Sequence, residues 1–268
     1  MSDKEPSISD IIQSKQAREF RAFPKLKPGF SAMLPNINRA GLFPPVSNAK
    51  DSAHIDCVYP VACYDSEDET QGSIRYIGAR MSQFHKRVLL GLLERVAGKE
   101  GDQWVSFHAV EFLESVGKEG DTRNVNRLFD ALAELRAATF CIREHSKDRG
   151  QVFGWLNEAE FSSGSRQVRV LMSGRAAMRF GDLGRTYLPM SKRNRLDDGL
   201  QTWLFDFLFS SEQDRFSYEG LADLLERKAD ADFGKAVRSA LVKLHEVDAI
   251  EAPEFSRGRF TARKKLMS

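Results

Sequence analysis

The sequence is poor in cysteine, with three such residues, Cys57, Cys63 and Cys141, in a chain of 268. An odd number without a CxxC pair argues against a disulfide scaffold and against a zinc site. The chain also lacks any apolar run of about 18 residues, which excludes a membrane-spanning helix. Its first ten residues carry acids where a secretory signal requires a basic and then an apolar segment. We therefore expect a cytoplasmic protein with no membrane partner.

Patterns typical of nucleotide hydrolysis and DNA nicking are missing as well. No GxxxxGK[ST] string occurs, so a phosphate-binding loop of that type is not expected. The five histidines are too far apart in sequence to form an HxH or HxxxH metal pair. The acids Asp197 and Asp198 precede a helical pattern, where capping is favoured over metal binding. We expect a protein that is not an enzyme, with no catalytic residue, no metal and no cofactor.

Charge is nearly balanced in total but unevenly distributed. The chain has 40 Lys and Arg residues and 38 Asp and Glu residues. Its length of 268 residues predicts about two domains. Residues 51–74 carry six acids and no base, a pattern typical of a solvated loop. Residues 185–195 carry four bases, and residues 255–268 carry five, with no acid in either stretch. Such basic clusters attract a polyanion, although each is also compatible with a solvated surface.

A pattern is repeated after about 110 residues. Residues 105–113 and 216–224 each predict a short strand followed by an amphipathic helix. Ser106 aligns with Ser217, and each serine is placed to cap its helix.

A second helix and a strand–turn–strand pattern follow each copy. The second helices are predicted at 124–136 and 233–247, and four apolar positions superpose between them. The strand–turn–strand patterns are predicted at 139–161 and 249–263, each with a glycine in its turn. This order is typical of a winged helix-turn-helix. We predict a predominantly helical α+β fold of two tandem winged helix-turn-helix domains with β-hairpin wings, the alternative being two unrelated helical hairpins with ordinary amphipathic spacing.

Domain boundaries follow from the repeat. Residues 1–50 are predicted to be a largely mobile N-terminal arm, because several prolines lie close together at 24, 28 and 35. The first winged-helix domain is predicted at 51–181, with dimerisation and DNA contact as its roles. The second, at 182–268, is predicted to be the main DNA-reading domain and to carry a basic C-terminal tail.

The two second helices are the candidate recognition helices. Helical periodicity predicts a buried stripe in the later one, formed by Phe233, Ala236, Val237, Ala240, Leu241, Leu244 and Val247. Its opposite side presents candidate DNA contacts: Lys235, Arg238, Ser239, Val242 and Lys243. The earlier helix presents candidates in its first two turns: Arg123, Asn124, Asn126 and Arg127. These residue types bond phosphates or base edges, and a valine packs on thymine methyl groups. Solvated helix faces are the alternative interpretation.

Further candidate DNA contacts lie outside the helices. The predicted wings carry Lys147 and Arg149 in the first copy and Arg257, Arg259 and Arg263 in the second. The basic clusters add Lys192, Arg193, Arg195 and Lys264. Cations on a wing contribute binding free energy by contacting the DNA backbone or the minor groove, and they do so without reading the base sequence.

About four fifths of the chain resembles the TrfA-like group of plasmid replication initiators. The resemblance lies in the linear order of the segments 34–43, 74–78, 170–181, 200–204, 210–211, 216–225 and 233–244. It implies tandem winged-helix domains that bind iteron repeats in double-stranded DNA at a plasmid origin. It further implies local strand opening, recruitment of host replication proteins such as the replicative helicase, and plasmid copy control. Dimers held through the first domain would separate into monomers on iterons.

Two other functions are compatible with the same fold. A winged-helix transcriptional regulator would bind a promoter site without melting DNA, and its site would be a single palindrome. An initiator would bind an array of direct repeats beside A·T-rich DNA. A protein-interaction module built on winged helices would have no DNA affinity.

Overall fold

The structure is a computed structural model that describes residues 22–45, 54–60, 72–144, 149–182 and 184–265. Its helices are α1 (Pro35–Arg39), α2 (Gln83–Arg95), α3 (Ala109–Ser115), α4 (Thr122–Ala137), α5 (Gly174–Asp182), α6 (Met190–Arg193), α7 (Leu200–Ser210), α8 (Tyr218–Leu224) and α9 (Ala231–Glu246). Its strands are β1 (Phe30–Met33), β2 (His54–Pro60), β3 (Gly72–Ala79), β4 (Trp104–His108), β5 (Thr139–Glu144), β6 (Arg149–Phe153), β7 (Leu156–Ser162), β8 (Gln167–Met172), β9 (Thr186–Pro189), β10 (Arg215–Ser217), β11 (Glu254–Ser256) and β12 (Arg259–Thr261). Within these ranges the sheets are antiparallel. None of the helices described is long and apolar enough to cross a bilayer.

One arrangement of elements occurs twice. In the first unit, strand β4 leads into helices α3 and α4, and a sheet of order β4-β8-β7 closes against them. In the second unit, strand β10 leads into helices α8 and α9, and the sheet has the order β10-β12-β11. The mixture of helices and antiparallel strands agrees with the predicted α+β class.

The structure shifts the predicted alignment of the first helices by two residues. Helix α8 begins 109 residues after α3, and α9 begins 109 residues after α4. The residue before α3 is therefore His108, not Ser106, which lies in β4 opposite Arg169. Ser217 does cap α8, since its side chain accepts a hydrogen bond from the Gly220 amide at 3.0 Å. The prediction of a cap was correct for the second unit and wrong for the first.

The hairpin predicted as the first wing belongs to another sheet. Strands β5 and β6 extend a four-stranded sheet of order β2-β3-β5-β6, in which Phe140 and Phe153 pack beside Tyr76. The hairpin that completes the first unit is β7–β8, with its turn at 163–166. The earlier hairpin is thus an insertion between α4 and the unit's own hairpin. Its aromatic residues need the β2–β3 sheet as a packing partner.

Residues 22–45 form an N-terminal segment that is packed into the core, contrary to the predicted mobile arm. Strand β1 pairs with β9 along its whole length, and helix α1 packs against α7. Leu34, Ile37 and Phe43 are at most 1% exposed. Apolar burial outweighs the effect of the nearby prolines here, since Pro35 occupies the first turn of α1, where proline is tolerated. The rest of the predicted arm, residues 1–21 and 46–50, lies outside the described residues.

The acidic stretch is partly strand instead of loop. Residues 54–60 form β2, which pairs with β3. The exposed carboxylate of Asp56 accepts hydrogen bonds from Arg75 Nε at 2.8 Å and Nη2 at 2.5 Å. Residues 51–53 and 61–71 lie outside the described residues.

A buried ionic cluster lies where α2, α6 and α7 meet. The Asp206 carboxylate accepts hydrogen bonds from Arg193 Nε and Nη2, both at 2.8 Å, and lies 2.9 Å from Lys86 Nζ. All three side chains are at most 1% exposed. Burial lowers the pKa of Lys86 to about 8, although Asp206 opposes that shift. Burial alone would raise the pKa of Asp206, but Arg193 and Lys86 hold it below its usual value.

A second pair adjoins this cluster. Arg87 Nε donates to Asp198 at 2.7 Å, and Lys118 Nζ lies 2.7 Å from the same carboxylate. The predicted capping of α7 by Asp197 or Asp198 is therefore wrong, since the residue before that helix is Gly199, whose amide donates to the Thr202 hydroxyl at 3.1 Å. The carboxylate of Asp198 instead neutralises Arg87, which is buried near the like charge of Arg193.

Candidate DNA interface

Helix α9 presents a polar face next to the hairpin β11–β12. Asp230 caps its start by accepting a hydrogen bond from the Phe233 amide at 2.8 Å. The buried stripe consists of Phe233, Val237, Ala240, Leu241 and Leu244, followed by Val247 at the helix end. Ala236, predicted to be buried, is exposed at the edge of this stripe. Lys235, Arg238, Ser239 and Val242 are all exposed on the opposite face, as predicted.

The lysines of this face are held only by exposed ion pairs. Lys235 lies 3.4 Å from Asp232, and both side chains are more than three quarters exposed. Lys243 is half-buried and lies 2.9 Å from Glu246. Exposed pairs of this kind contribute about 0–1 kcal/mol, so either ammonium group can exchange its partner for a phosphate at little cost. Val242 is 44% exposed between these polar residues.

Arg238 contacts both the hairpin and the start of α8. Its Nε donates to the Tyr218 hydroxyl at 3.2 Å, and its guanidinium carbon lies 5.5 Å from the Phe255 ring centre and 6.0 Å from that of Tyr218. Its terminal nitrogens make no hydrogen bond to any residue that the structure describes. Arg238 therefore joins the helix face to the hairpin while keeping one donor edge open.

The hairpin β11–β12 continues the basic surface. Arg257 lies in its turn beside Gly258, whose φ of +75° is a conformation that favours glycine. Arg259 is exposed at the start of β12 and lines a cleft of about 380 Å³ together with Arg215 of β10. The predicted wing of the second unit, with Arg257 and Arg259 on it, is thus present as a hairpin.

The residues after the hairpin are less available than predicted. Arg263 is 54% exposed but lies 3.8 Å from both Glu251 and Glu254. Lys264 donates to the Ser211 carbonyl oxygen. Lys265, also in the predicted basic tail, donates to the Asp248 carboxylate at 2.6 Å. Both lysines tie the chain end to the second unit.

The basic cluster at 185–195 does not form one surface. Arg193 is fully buried on Asp206, so the prediction that it contacts DNA is wrong. Lys192 donates to the Asp248 carbonyl oxygen at 2.5 Å, and hydrogen bonds from Lys265 and Lys192 keep the pKa of Asp248 below its usual value. Arg195 is exposed. The sequence pattern gave no sign that Arg193 would meet a carboxylate 13 residues further along.

Helix α4 presents the candidates of the first unit. Asp121 caps it by accepting a hydrogen bond from the Asn124 amide at 2.7 Å, as predicted. Arg123 and Asn126 are exposed and make no side-chain hydrogen bond to a described residue. Asn124 donates through its side chain to the Glu119 carbonyl oxygen at 3.0 Å.

Arg127 is exposed but engaged within the first unit. Its guanidinium lies 4.2 Å from the ring centre of Phe84, and it donates to Asn124 at 3.4 Å. Two of the four predicted contacts of α4 are therefore free for a ligand, and two already serve the fold.

The predicted first wing does not supply its cations to α4. Arg149 lies in β6 of the four-stranded sheet, with its backbone opposite Glu144, so its assignment to that wing is wrong. Lys147 lies outside the described residues. The turn that does belong to the first unit carries Arg166, with a φ of +54°. The first unit is accordingly less basic beside its recognition-helix candidate than the second.

The residues described include no cluster of three or more His, Cys, Asp or Glu side chains that could hold a metal ion.

Known proteins resemble this chain in structure and not in detectable sequence. No protein-family profile and no curated protein sequence matches it. The crystal structure of RctB domains 2 and 3, in a selenomethionine derivative, covers 88% of this chain and 99% of that one, with a TM-score of 0.58 and 11% identity. The Pi initiator protein in complex with iteron DNA covers 68% and 91%, with a TM-score of 0.51 and 12% identity.

The chain has the fold of these proteins. The resemblance of its sequence to TrfA-like replication initiators is thereby confirmed at the level of the fold. Three residues beside α9 were missed from the sequence: the exposed Arg215 and Phe255 and the buried Tyr218. Their separation from α9 along the chain conceals that they lie beside it, and the available signal was the outward position of Arg215 next to the buried Phe216.

Proposed function

We propose that the protein is a plasmid replication initiator that binds iteron repeats in double-stranded DNA at the origin. The observation that carries this proposal is the continuous basic surface formed by the outward face of α9 and the hairpin β11–β12, which Arg238 connects. The same fold occurs in an initiator crystallised with iteron DNA, which supports a duplex as the ligand.

Each unit is proposed to act as a winged helix, so that the fold holds two in tandem. Helix α9 enters the major groove, where Arg238 reads a guanine edge and Val242 packs on thymine methyl groups. Arg257 and Arg259 follow the phosphate backbone, which fixes orientation without reading bases. Helix α4 makes a weaker contact through Arg123 and Asn126. The second unit therefore supplies most of the affinity.

The first predicted domain, residues 51–181, is proposed to hold the dimer that separates into monomers on iterons. The solvent-facing side of the four-stranded sheet carries one row across its strands: Val58, Arg75, Cys141 and Val152. The two valines, at the two edge strands of this row, are 62% and 60% exposed. A second copy on this face would cover them.

Strand opening and helicase recruitment complete the proposed mechanism. Several copies bound to adjacent repeats deform the duplex, and flexible A·T-rich DNA beside the repeats melts at the lowest cost. No step requires hydrolysis by this chain, so the protein is proposed not to be an enzyme. Its proposed place of action is the cytoplasm. Copy control follows if dimers and monomers compete for the repeats.

The binding test is the substitution Arg238→Ala. Loss of a bidentate guanine contact is expected to cost about 1–3 kcal/mol on a duplex selected from a random pool, with little change on scrambled DNA. Fluorescence anisotropy at fixed salt measures both affinities. Arg136→Ala is the matched control, because this exposed arginine lies in the last turn of α4, away from the proposed contacts. Equal losses on both duplexes would reduce Arg238 to a phosphate contact.

The opening test separates an initiator from a transcriptional regulator. The protein is added to a supercoiled plasmid that carries direct repeats of the selected site beside A·T-rich DNA. Unpaired thymines are then detected by permanganate. Reactivity that requires the repeats supports initiation, whereas tight binding without reactivity, or selection of a single palindrome, supports a regulator. Absence of DNA affinity would overturn both functions.

A further inference from the structure

Equivalent positions of the two units carry different chemistry at the contact between helix and hairpin. Phe129 and Arg238 occupy the same position, since each is the eighth residue of its helix, α4 or α9. Phe161 and Phe255 also correspond, because each lies on the outer hairpin strand, opposite Val168 or Phe260 of the central strand. One unit therefore places two phenylalanines where the other places an arginine and a phenylalanine.

The first unit uses this position for packing. The rings of Phe129 and Phe161 are stacked with centres 4.3 Å apart and planes 9° from parallel. Phe129 is 7% exposed. The Phe161 ring is itself 47% exposed, but this apolar contact fixes the hairpin to the helix and offers no donor to a ligand.

The second unit opens the same position to solvent. Arg238 is exposed and lies over Phe255, which remains 41% exposed on the hairpin. Below it, Tyr218 stands where the first unit has the buried Ala109, and its hydroxyl accepts the hydrogen bond from Arg238 Nε. The tyrosine ring itself is 9% exposed and packs beside Phe260.

We propose that Tyr218 and Phe255 are positioning residues that orient the guanidinium of Arg238 toward a base edge in the major groove. This inference rests on the proposed DNA-binding function and names the residues on which sequence reading by the second unit depends. We call Tyr218 and Phe255 the aromatic cradle. Both residues contact Arg238, and Arg238 alone contacts the base.

The hydrogen-bonding pattern explains why the cradle favours a guanine. The Tyr218 hydroxyl occupies Nε, so Nη1 and Nη2 remain as the paired donors, and this pair matches O6 and N7 of guanine. A guanidinium that is already stacked and hydrogen-bonded loses less rotamer freedom on binding than a free one. A phosphate also accepts such a donor pair, so the affinity for scrambled DNA separates the two contacts in the test below.

The test uses the full-length protein and a pool of random duplexes about two helical turns long. Binding sites are selected with wild-type protein and with three variants, Tyr218→Phe, Phe255→Ala and Arg238→Ala. Phe161→Ala is the matched control, since it removes the equivalent aromatic ring from the first unit. Affinities are then measured for the wild-type site, for that site with its guanine replaced, and for scrambled DNA, and thermal unfolding is recorded for every variant.

Arg238→Ala is expected to abolish the preference for one G·C pair, a loss of about 5-fold to 100-fold on the selected site. Tyr218→Phe, which keeps the ring, is expected to weaken that preference about 2-fold to 10-fold while leaving scrambled-DNA affinity and unfolding temperature unchanged. Phe255→Ala is expected to act in the same direction. Neither variant should have any further effect in the Arg238→Ala background, since each acts through that arginine. Phe161→Ala should keep the G·C preference.

Three results would overturn the inference. In the first, the cradle variants match wild type while Arg238→Ala loses the preference, which would leave the proposed function standing and remove the cradle. In the second, the cradle variants lose affinity equally on all duplexes or in the Arg238→Ala background, which would show a structural role. In the third, wild-type protein selects no sequence and binds no duplex, which would remove the proposed function as well.

Discussion

At the scale of single residues, Lys86 shows how the fold holds a charge out of water. Its ammonium group is 1% exposed and depends on the Asp206 carboxylate, which it shares with Arg193. Burial of an ammonium group disfavours its charged form, which accounts for the lowered pKa. The cluster therefore ties α2 to α6 and α7 at a cost that depends on pH.

The pH dependence of stability tests this arrangement. Lys86 has a folded-state pKa of about 8 and an ordinary value of 10.5, so between these values the unfolded chain binds more protons than the folded one. Stability from this group is therefore gained as pH rises from about 8 to 10.5, with a slope of at most about 1.4 kcal/mol per pH unit. Urea unfolding at several pH values measures it. Lys86→Met, which leaves Asp206 paired with Arg193, should remove that part of the slope; equal slopes in the two proteins would contradict the assignment.

At the scale of elements, periodicity predicted the helices and failed on strand partners. The repeat located α4 and α9 because amphipathic spacing is a local feature of the sequence, and each helix is in fact capped by an aspartate. A strand that follows a helix carries no local mark of the sheet it joins. Strand β5 was therefore predicted to begin the first wing, whereas in the structure its Phe140 pairs with the distant Tyr76 of β3. Sequence patterns likewise gave the outward face of α9 but not the burial of Arg193, since its partner is set by tertiary packing.

The structure predicts different contributions to DNA binding from the hairpin β11–β12 and from the residues after it. Arg257 and Arg259 are exposed on the hairpin, whereas Lys264 and Lys265 are bonded to Ser211 and Asp248. Replacing both hairpin arginines by glutamine is expected to reduce the salt dependence of DNA binding by about two units of slope. Replacing both lysines by glutamine should leave the slope nearly unchanged. Affinities measured from low to moderate salt give both values, and the reverse order would place the DNA on the chain end.

At the scale of the whole molecule, the N-terminal segment bonds to elements on both sides of the predicted domain boundary at residues 181 and 182. The Ser31 hydroxyl donates to the Leu90 carbonyl oxygen of α2 at 2.9 Å, and the Asn38 side chain donates to the Ser210 hydroxyl of α7 at 2.7 Å. Strand β1 meanwhile pairs with β9. The predicted division at residues 181 and 182 therefore cuts across the β1–β9 sheet and the continuous core, because a segment from the start of the chain completes the second half.

This arrangement predicts that both units unfold together. Ile37 of α1 is fully buried, so Ile37→Ala is expected to cost about 2–5 kcal/mol. Trp155 and Trp203 are buried in the two halves, and variants that keep one of the three tryptophans, the others being replaced by phenylalanine, report on each half by fluorescence in urea. Both reporters should shift to the same lower midpoint, because the segment packs on α2 and α7 alike. The control Arg136→Ala truncates an exposed side chain in the last turn of α4 and should change stability by no more than about 0.5 kcal/mol. A shift confined to Trp203 would mean that the second half unfolds alone. The two units would then bind DNA as independent domains and not as one rigid body.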